Sequence, residues 1–220
     1  MLISALEQHI HIVQFGEIFQ KEREIKADQI RIWREAPIEY LNNFIYKDYA
    51  KEIKAVGFKI HYYHCQEQNW KPVWKHLAAS RVRVIHLKRR NPLNQYISVR
   101  LAAKYNVYHV TQDKDLKYLD SAKIFINDKE CLRYMTWVKQ RQDYFESYFC
   151  NNLKICIYYE DLVKDYEKTI KRIQEWLGVP YELIFPKTIK QVRKPLSDFV
   201  IDYQSLKSSF KNTDWIQFFE

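Results

Sequence analysis

The sequence predicts an α/β domain with a mainly parallel sheet flanked by helices, and three observations carry that reading. Short β-branched runs alternate along the chain with longer amphipathic ones, the order that builds βαβ units. A strand over Arg81–Leu87 ends in the cationic run Lys88-Arg89-Arg90 and gives way at Asn91-Pro92 to a helix that reaches Tyr105. Asn is a strong N-cap and Pro is favoured at the first helical position, so this is the best-marked boundary in the chain. No repeat, low-complexity tract or Pro/Gly/Ser-rich linker divides the 220 residues, so residues 1–220 read as a single domain.

The elements follow in order. Leu2–Gln8 reads as the tail of a helix without an N-terminal start signal, and Ile12–Phe15 as a short extended piece. Lys21–Ala55 is helical in composition but weakly patterned, Gly57–Tyr63 alternates as a strand, and Asn69–Ala79 reads as a helix. Beyond the 81–105 unit, a long helix over Asp128–Cys150 starts at an Asn127…Glu130 capping box and keeps Tyr134, Val138, Arg141, Phe145 and Tyr148 near one face. Leu153–Tyr159 is a buried strand. Glu160–Leu177 is an amphipathic helix, with Gly178 placed for a left-handed cap, and Leu196–Glu220 is helical in pattern with an aromatic end.

Composition narrows the function. Lys and Arg number 36 against 27 Asp and Glu, a net charge of +9, which favours anionic partners such as nucleic acid, membrane surface, nucleotides or sulfated and phosphorylated glycans. Only three glycines are present, where about fifteen would be expected at the usual ~7%. Gly16, Gly57 and Gly178 stand too far apart to form a glycine-rich phosphate loop within the chain. No stretch free of Asp, Glu, Lys and Arg exceeds nine residues, the length of Gln8–Gly16, which is short of the ~18 that a membrane span needs. The first twenty residues contain no Lys or Arg, so neither a signal nor a transit peptide is read there, and a cytoplasmic location is expected. Cys65, Cys131, Cys150 and Cys156 form no CxxC pair and are expected to be reduced packing residues.

In an open α/β sheet the ligand binds at the carboxyl ends of the strands. Lys88-Arg89-Arg90-Asn91-Pro92 sits at such an end, where three cations and the unpaired N–H groups of the next helix favour a phosphate. Ser98 lies about two turns, roughly 10 Å, along that helix. A long Arg90 side chain folded back could share one phosphate with the Ser98 hydroxyl, although a solvated basic loop would have the same composition.

The run Val84-Ile85-His86-Leu87-Lys88-Arg89-Arg90-Asn91-Pro92-Leu93-Asn94-Gln95-Tyr96-Ile97-Ser98 resembles the 3′-phosphate-binding element of sulfotransferases that use 3′-phosphoadenosine-5′-phosphosulfate (PAPS). The resemblance continues through Phe15-Gly16-Glu17-Ile18-Phe19, Gly57-Phe58-Lys59, Tyr159-Glu160-Asp161-Leu162, Trp176-Leu177-Gly178-Val179-Pro180 and Lys190-Gln191…Pro195-Leu196-Ser197, and it is strongest to the bacterial carbohydrate and glycolipid branch (trehalose- or nodulation-factor-type). It implies a three-layer, P-loop NTPase-like fold. It also implies Arg90 and Ser98 as the grip on the 3′-phosphate, Glu17 as the general base for the acceptor hydroxyl, and Lys190, Gln191 and Arg193 as a C-terminal lid over the nucleotide. The family's R-x-G-[ST] loop for the 5′-phosphosulfate, with its strand, has no counterpart. Met1–Leu6 resembles the helix that follows that loop, so the chain is expected to start just downstream of it. Such a loss would leave sheet edges unpaired and favour homo-oligomers.

Sulfuryl transfer needs in-line positioning, cations and a base, and this scheme requires no metal. Apolar neighbours Phe15, Ile18 and Phe19 are expected to raise the Glu17 pKa by desolvation, and Lys59 is expected at the mouth of the site, against the transferred group or the acceptor. A snorkelling surface lysine is the plain alternative for Lys59. His61-Tyr62-Tyr63-His64-Cys65 invites a zinc reading, but strand alternation sends His61 and His64 to opposite faces, so no metal is expected. Trp70, Trp74 and Trp137 would stack on sugars or pack in cores, and Tyr158-Tyr159-Glu160-Asp161-Leu162 is read as fixing a strand-to-helix junction. The expected activity is sulfuryl transfer from PAPS to a hydroxyl of a carbohydrate or glycolipid, with transient contact at a membrane surface. A truncated, catalytically inactive sulfotransferase-like binding protein is the alternative. A basic nucleic-acid-binding protein lacks any recognised reader motif, so no nucleic acid is expected as partner.

Overall fold

A computed structural model of the chain describes residues 1–21, 23–108, 110–111, 121–188 and 194–219. The chain divides into two compact units, one built from Met1–His86, Glu146–Ile157 and Asp165–Pro186, the other from Leu87–Phe145, Tyr158–Lys164 and Lys187–Glu220. Elements in chain order are α1 (Leu2–Leu6), β1 (Ile12–Gln14), α2 (Ile30–Glu35), α3 (Pro37–Tyr40) running into a π-helical turn at Leu41–Ile45, β2 (Ala55–Gly57) and α4 (Pro72–Ala79). They continue with β3 (Val84–Lys88), α5 (Pro92–Tyr105), α6 (Asp128–Tyr148), β4 (Lys154–Tyr158), α7 (Tyr159–Lys164), α8 (Tyr166–Leu177) and α9 (Tyr203–Ser209). Among the described residues the strands form two two-stranded sheets, β1 parallel to β2 and β3 paired with β4.

In the first unit, β1 and β2 run in the register Ile12↔Ala55 and Gln14↔Gly57. The hydrogen-bond ladder outlasts the strands. The Phe15 N–H donates to Gly57 O at 3.0 Å and the Lys59 N–H to Gly16 O at 2.7 Å. Between these bonds Gly16 adopts φ +65°, a left-handed conformation that is costly for any residue with a Cβ. Aromatic packing fixes the floor below: Trp33 donates its indole N–H to Ile18 O at 2.7 Å, and its ring meets Trp70 edge-on at 4.8 Å. Trp70 is buried, with its own N–H shared between the Trp33 and Arg34 carbonyls, so it is a core residue.

In the second unit, Leu93, Tyr96, Ile97 and Leu101 of α5 pack on Cys131 and Met135 of α6 and on Leu196, Phe199, Tyr203 and Leu206 near α9. The strand-to-helix boundary at Asn91 is as expected: its side chain accepts the Asn94 N–H at 3.0 Å, with Pro92 opening the helix. Asn127 likewise accepts the Glu130 N–H at 3.0 Å to start α6.

Four expectations change. The strand expected over Gly57–Tyr63 is instead Ala55–Gly57, because Phe58 onward leaves the ladder after Lys59 and turns at Tyr62-Tyr63. The helix expected over Glu160–Leu177 breaks at Asp165, whose ψ of 59° is not helical, into α7 and α8. Among the described residues, helix in the Lys21–Ala55 region is confined to residues 30–45, and the segment from Leu196 is made of short turns around α9. Gly178 caps α8 at φ +75°, with its N–H donating to Glu175 O at 3.1 Å.

Gly178→Ala has room for its methyl, since the nearest atom to an added Cβ is Arg83 Nη1 at 3.6 Å, so the strain is purely in the backbone. A loss of about 1–2 kcal/mol in stability is expected, read as a lowered midpoint in urea denaturation of the full chain.

Candidate functional site

Two clusters hold the site residues expected from the sequence, one in each unit. In the first unit the extended ladder sets Glu17 opposite Lys59. The left-handed turn at Gly16 carries the chain past the end of β2, and Lys59 Nζ donates to Glu17 Oε1 at 2.6 Å. His61 Nε2 reaches the same oxygen at 3.3 Å. Both groups converge on Oε1, and among the described residues Oε2 accepts no hydrogen bond.

The Glu17 carboxyl is pulled down to about 2, first by the hydrogen bond from His61 and then by Lys59, against a contrary push from burial. This reverses the expected upward shift: the apolar neighbours are present, but two donors on one oxygen outweigh desolvation. His64 packs its ring 5.1 Å from that of His61, and its Nδ1 accepts the His61 backbone N–H at 3.1 Å. The two histidines are therefore brought together, where strand alternation would have separated them. Burial, then His61, hold the His64 imidazole down to about 4, which keeps it neutral near pH 7.

In the second unit the cationic turn finds its anions inside the chain. Arg90 and Asp161 form a fork-to-fork pair, Nη1 to Oδ1 and Nη2 to Oδ2, both at 2.7 Å. The Arg90 backbone N–H donates to both Glu160 oxygens at 3.2 Å, and the guanidinium lies over the Tyr158 ring at 4.2 Å. Arg89 stacks on Tyr159 at 3.5 Å. Tyr158-Tyr159-Glu160-Asp161 thus supplies both the aromatic faces and the negative charge that order the turn. Ser98 lies two turns along α5, half-buried. Lys190, Gln191 and Arg193 lie outside the described residues.

The sequence places His61 in a zinc reading and Glu160 and Asp161 at a strand-to-helix junction, and it does not show His61 as a partner of Glu17 or the two carboxylates as partners of Arg90. A histidine two residues from the proposed lysine, and an acidic pair directly after the next strand, were the available signals. Among the described residues no helix is long and apolar enough to cross a membrane.

Acid should act on the first cluster in two stages. The depressed His64 pKa favours the neutral ring in the folded state, so its contribution is lost as pH falls from about 6.5 towards 4. The depressed Glu17 pKa adds stability that is present above 4.5 and is lost as pH falls towards 2, on the order of 2–3 kcal/mol. Thermal melts across this range should show Tm falling in both windows, with Glu17→Gln removing the lower one.

No curated protein and no solved structure matches the chain significantly. A family model, described as the sulfotransferase domain, matches residues 7–214, across both units and both clusters, and the chain belongs to that family.

Proposed function

We propose that the chain acts as one sulfotransferase-like domain, in the family's three-layer, P-loop NTPase-like arrangement. It would move a sulfuryl group from PAPS to a hydroxyl of a carbohydrate or glycolipid, in the cytoplasm and with transient contact at a membrane surface. The observation that carries this reading is the Arg90 fork. A guanidinium that already holds a carboxylate through two parallel bonds presents the geometry that also grips a phosphate edge, so the residues fit the donor's 3′-phosphate. The pair is about half exposed, so Asp161 is exchangeable for a stronger anion. Ser98 adds a hydroxyl donor to the same phosphate.

When bound, the donor supplies an activated sulfuryl group. Glu17 Oε2, with its lone pairs open, accepts the proton of the acceptor hydroxyl, while Lys59 neutralises the charge on the transferred group. Sulfuryl transfer asks for little else beyond alignment, which the fixed ladder at Gly16 and Lys59 supports. A carboxyl held near 2 is a weak base, and this favours a second assignment in which His61 takes the proton and Glu17 orients its ring.

Three measurements test these roles. Calorimetry with 3′-phosphoadenosine-5′-phosphate should show binding that Arg90→Ala weakens roughly tenfold or more and Asp161→Asn tightens; binding indifferent to Arg90 would sink the phosphate site. Transfer of labelled sulfate from PAPS to glycan and glycolipid acceptors should fall about 10²-fold or more in Glu17→Ala. With Glu17 as base, kcat/KM holds steady down to about pH 4. An acid limb in the pH profile that disappears in His61→Gln assigns the proton to His61.

A further inference from the structure

A third cluster, in the first unit, is used by neither role above. His86 in the middle of β3, Cys156 in the middle of β4 and Glu146 in the last turn of α6 turn three different ligand atoms towards one point. His86 Nδ1 stands 3.0 Å from Glu146 Oε2, Cys156 Sγ stands 3.3 Å from the same oxygen, and all three ligand atoms lie within 4.8 Å of one another. Around a tetrahedral zinc, with bonds of about 2.3 Å to sulfur and about 2.0 Å to nitrogen or oxygen, neighbouring ligand atoms stand about 3.3–3.5 Å apart. Two of the three separations are thus close to those of a ligand set, held on two paired strands and a helix end, and the His86 and Cys156 ligand atoms, up to 4.8 Å apart, have to draw together around an ion.

Its surroundings are those of a metal site. The other nitrogen of His86, Nε2, lies 2.6 Å from the Tyr62 hydroxyl, a hydrogen bond that fixes the orientation of a liganding imidazole. Lys154 Nζ holds the other Glu146 oxygen, Oε1, at 2.7 Å and the Glu146 carbonyl at 2.6 Å, so the carboxylate is oriented with Oε2 towards the cluster. His86 is buried, while Glu146 and Cys156 are partly exposed, which leaves a way in for an ion.

We propose that His86, Glu146 and Cys156 bind one zinc ion, or another borderline-soft divalent cation, with water as the fourth ligand. Without the ion the carboxylate can only accept, so His86 carries its proton on Nδ1 and accepts the Tyr62 hydroxyl at Nε2. Binding replaces the Nδ1 proton by one on Nε2, which then donates to the Tyr62 oxygen, and the imidazole stays neutral. The Cys156 thiol gives its proton to solvent as the sulfur–metal bond forms, so one proton is released per ion and nothing is oxidised or reduced.

The test titrates the full chain with cadmium and reads the thiolate-to-metal absorption band. One ion per chain is expected, with the band lost in Cys156→Ser, kept in Cys150→Ser, and affinity about tenfold lower in Tyr62→Phe. As a check that needs no variant, stoichiometric zinc should protect Cys156 from alkylation, read by peptide mass spectrometry, and leave the exposed Cys150 as reactive as before. No band and no protection in the unaltered chain, or a band that survives Cys156→Ser, overturns the site. None of these readouts depends on sulfuryl transfer.

Discussion

Pairing of cations with the chain's own carboxylates is the constraint on which these clusters depend. In a chain of net charge +9, cations set side by side, as in Lys88-Arg89-Arg90, repel one another unless anions stand within a few ångströms. Glu17 takes Lys59, with His61 beside the same oxygen, Asp161 takes the Arg90 guanidinium while Glu160 accepts its backbone N–H, and Glu146 takes Lys154, with a hydrogen bond from His86. Exposure separates the pairs. Arg90 and Asp161 are both about half exposed, where an ion pair is worth little and is easily exchanged, while the Glu17 and Lys59 side chains keep 24% and 35% of their surface and are shielded better from water. The exposed pair suits a binding role, in which an internal anion gives way to an external one. The shielded pair suits a fixed one.

Backbone geometry decides which carboxylate meets which cation. β1 and β2 are only three residues each, yet the ladder continues through Phe15–Gly57 and Gly16–Lys59, and it can do so because Gly16 accepts a left-handed turn. A residue with a Cβ at Gly16 would meet no close atom, the nearest being Arg23 Nη1 at 3.6 Å, so the requirement for glycine is conformational. With the turn in place, Glu17 is bound to fall opposite Lys59, and the Trp33–Ile18 bond beneath it fixes the segment from the other side.

Local signals in the sequence were legible where backbone chemistry alone sets the structure. Asn91-Pro92 marked the start of α5, Asn127 the start of α6 and Gly178 the end of α8, because caps use groups within one turn. The Glu17 and Lys59 candidates were legible through the family's motifs. The strand over Gly57–Tyr63 was misread because its alternation of apolar and polar residues arises from a turn that gathers His61, Tyr63 and His64 into one aromatic cluster. Contacts between distant segments left no local trace. Asp161 lies 71 residues from Arg90, and Glu146 lies 60 from His86, so no spacing rule joins them before the fold is known.

The low Glu17 pKa bears on how such a centre would work. Its basicity is suppressed by His61 and Lys59, both acting on Oε1, and the suppression lasts only as long as they stay there. Under the proposed reading, an anionic donor arriving beside Lys59 competes with Glu17 for that ammonium. Each step by which the lysine turns towards the incoming charge returns basicity to the carboxylate, since one pKa unit corresponds to about 1.4 kcal/mol of differential interaction. Oε2 remains the open acceptor throughout. Only the share of the suppression that comes from Lys59 would be lifted in this way, and the largest single share, from His61, would stay as long as that ring holds Oε1.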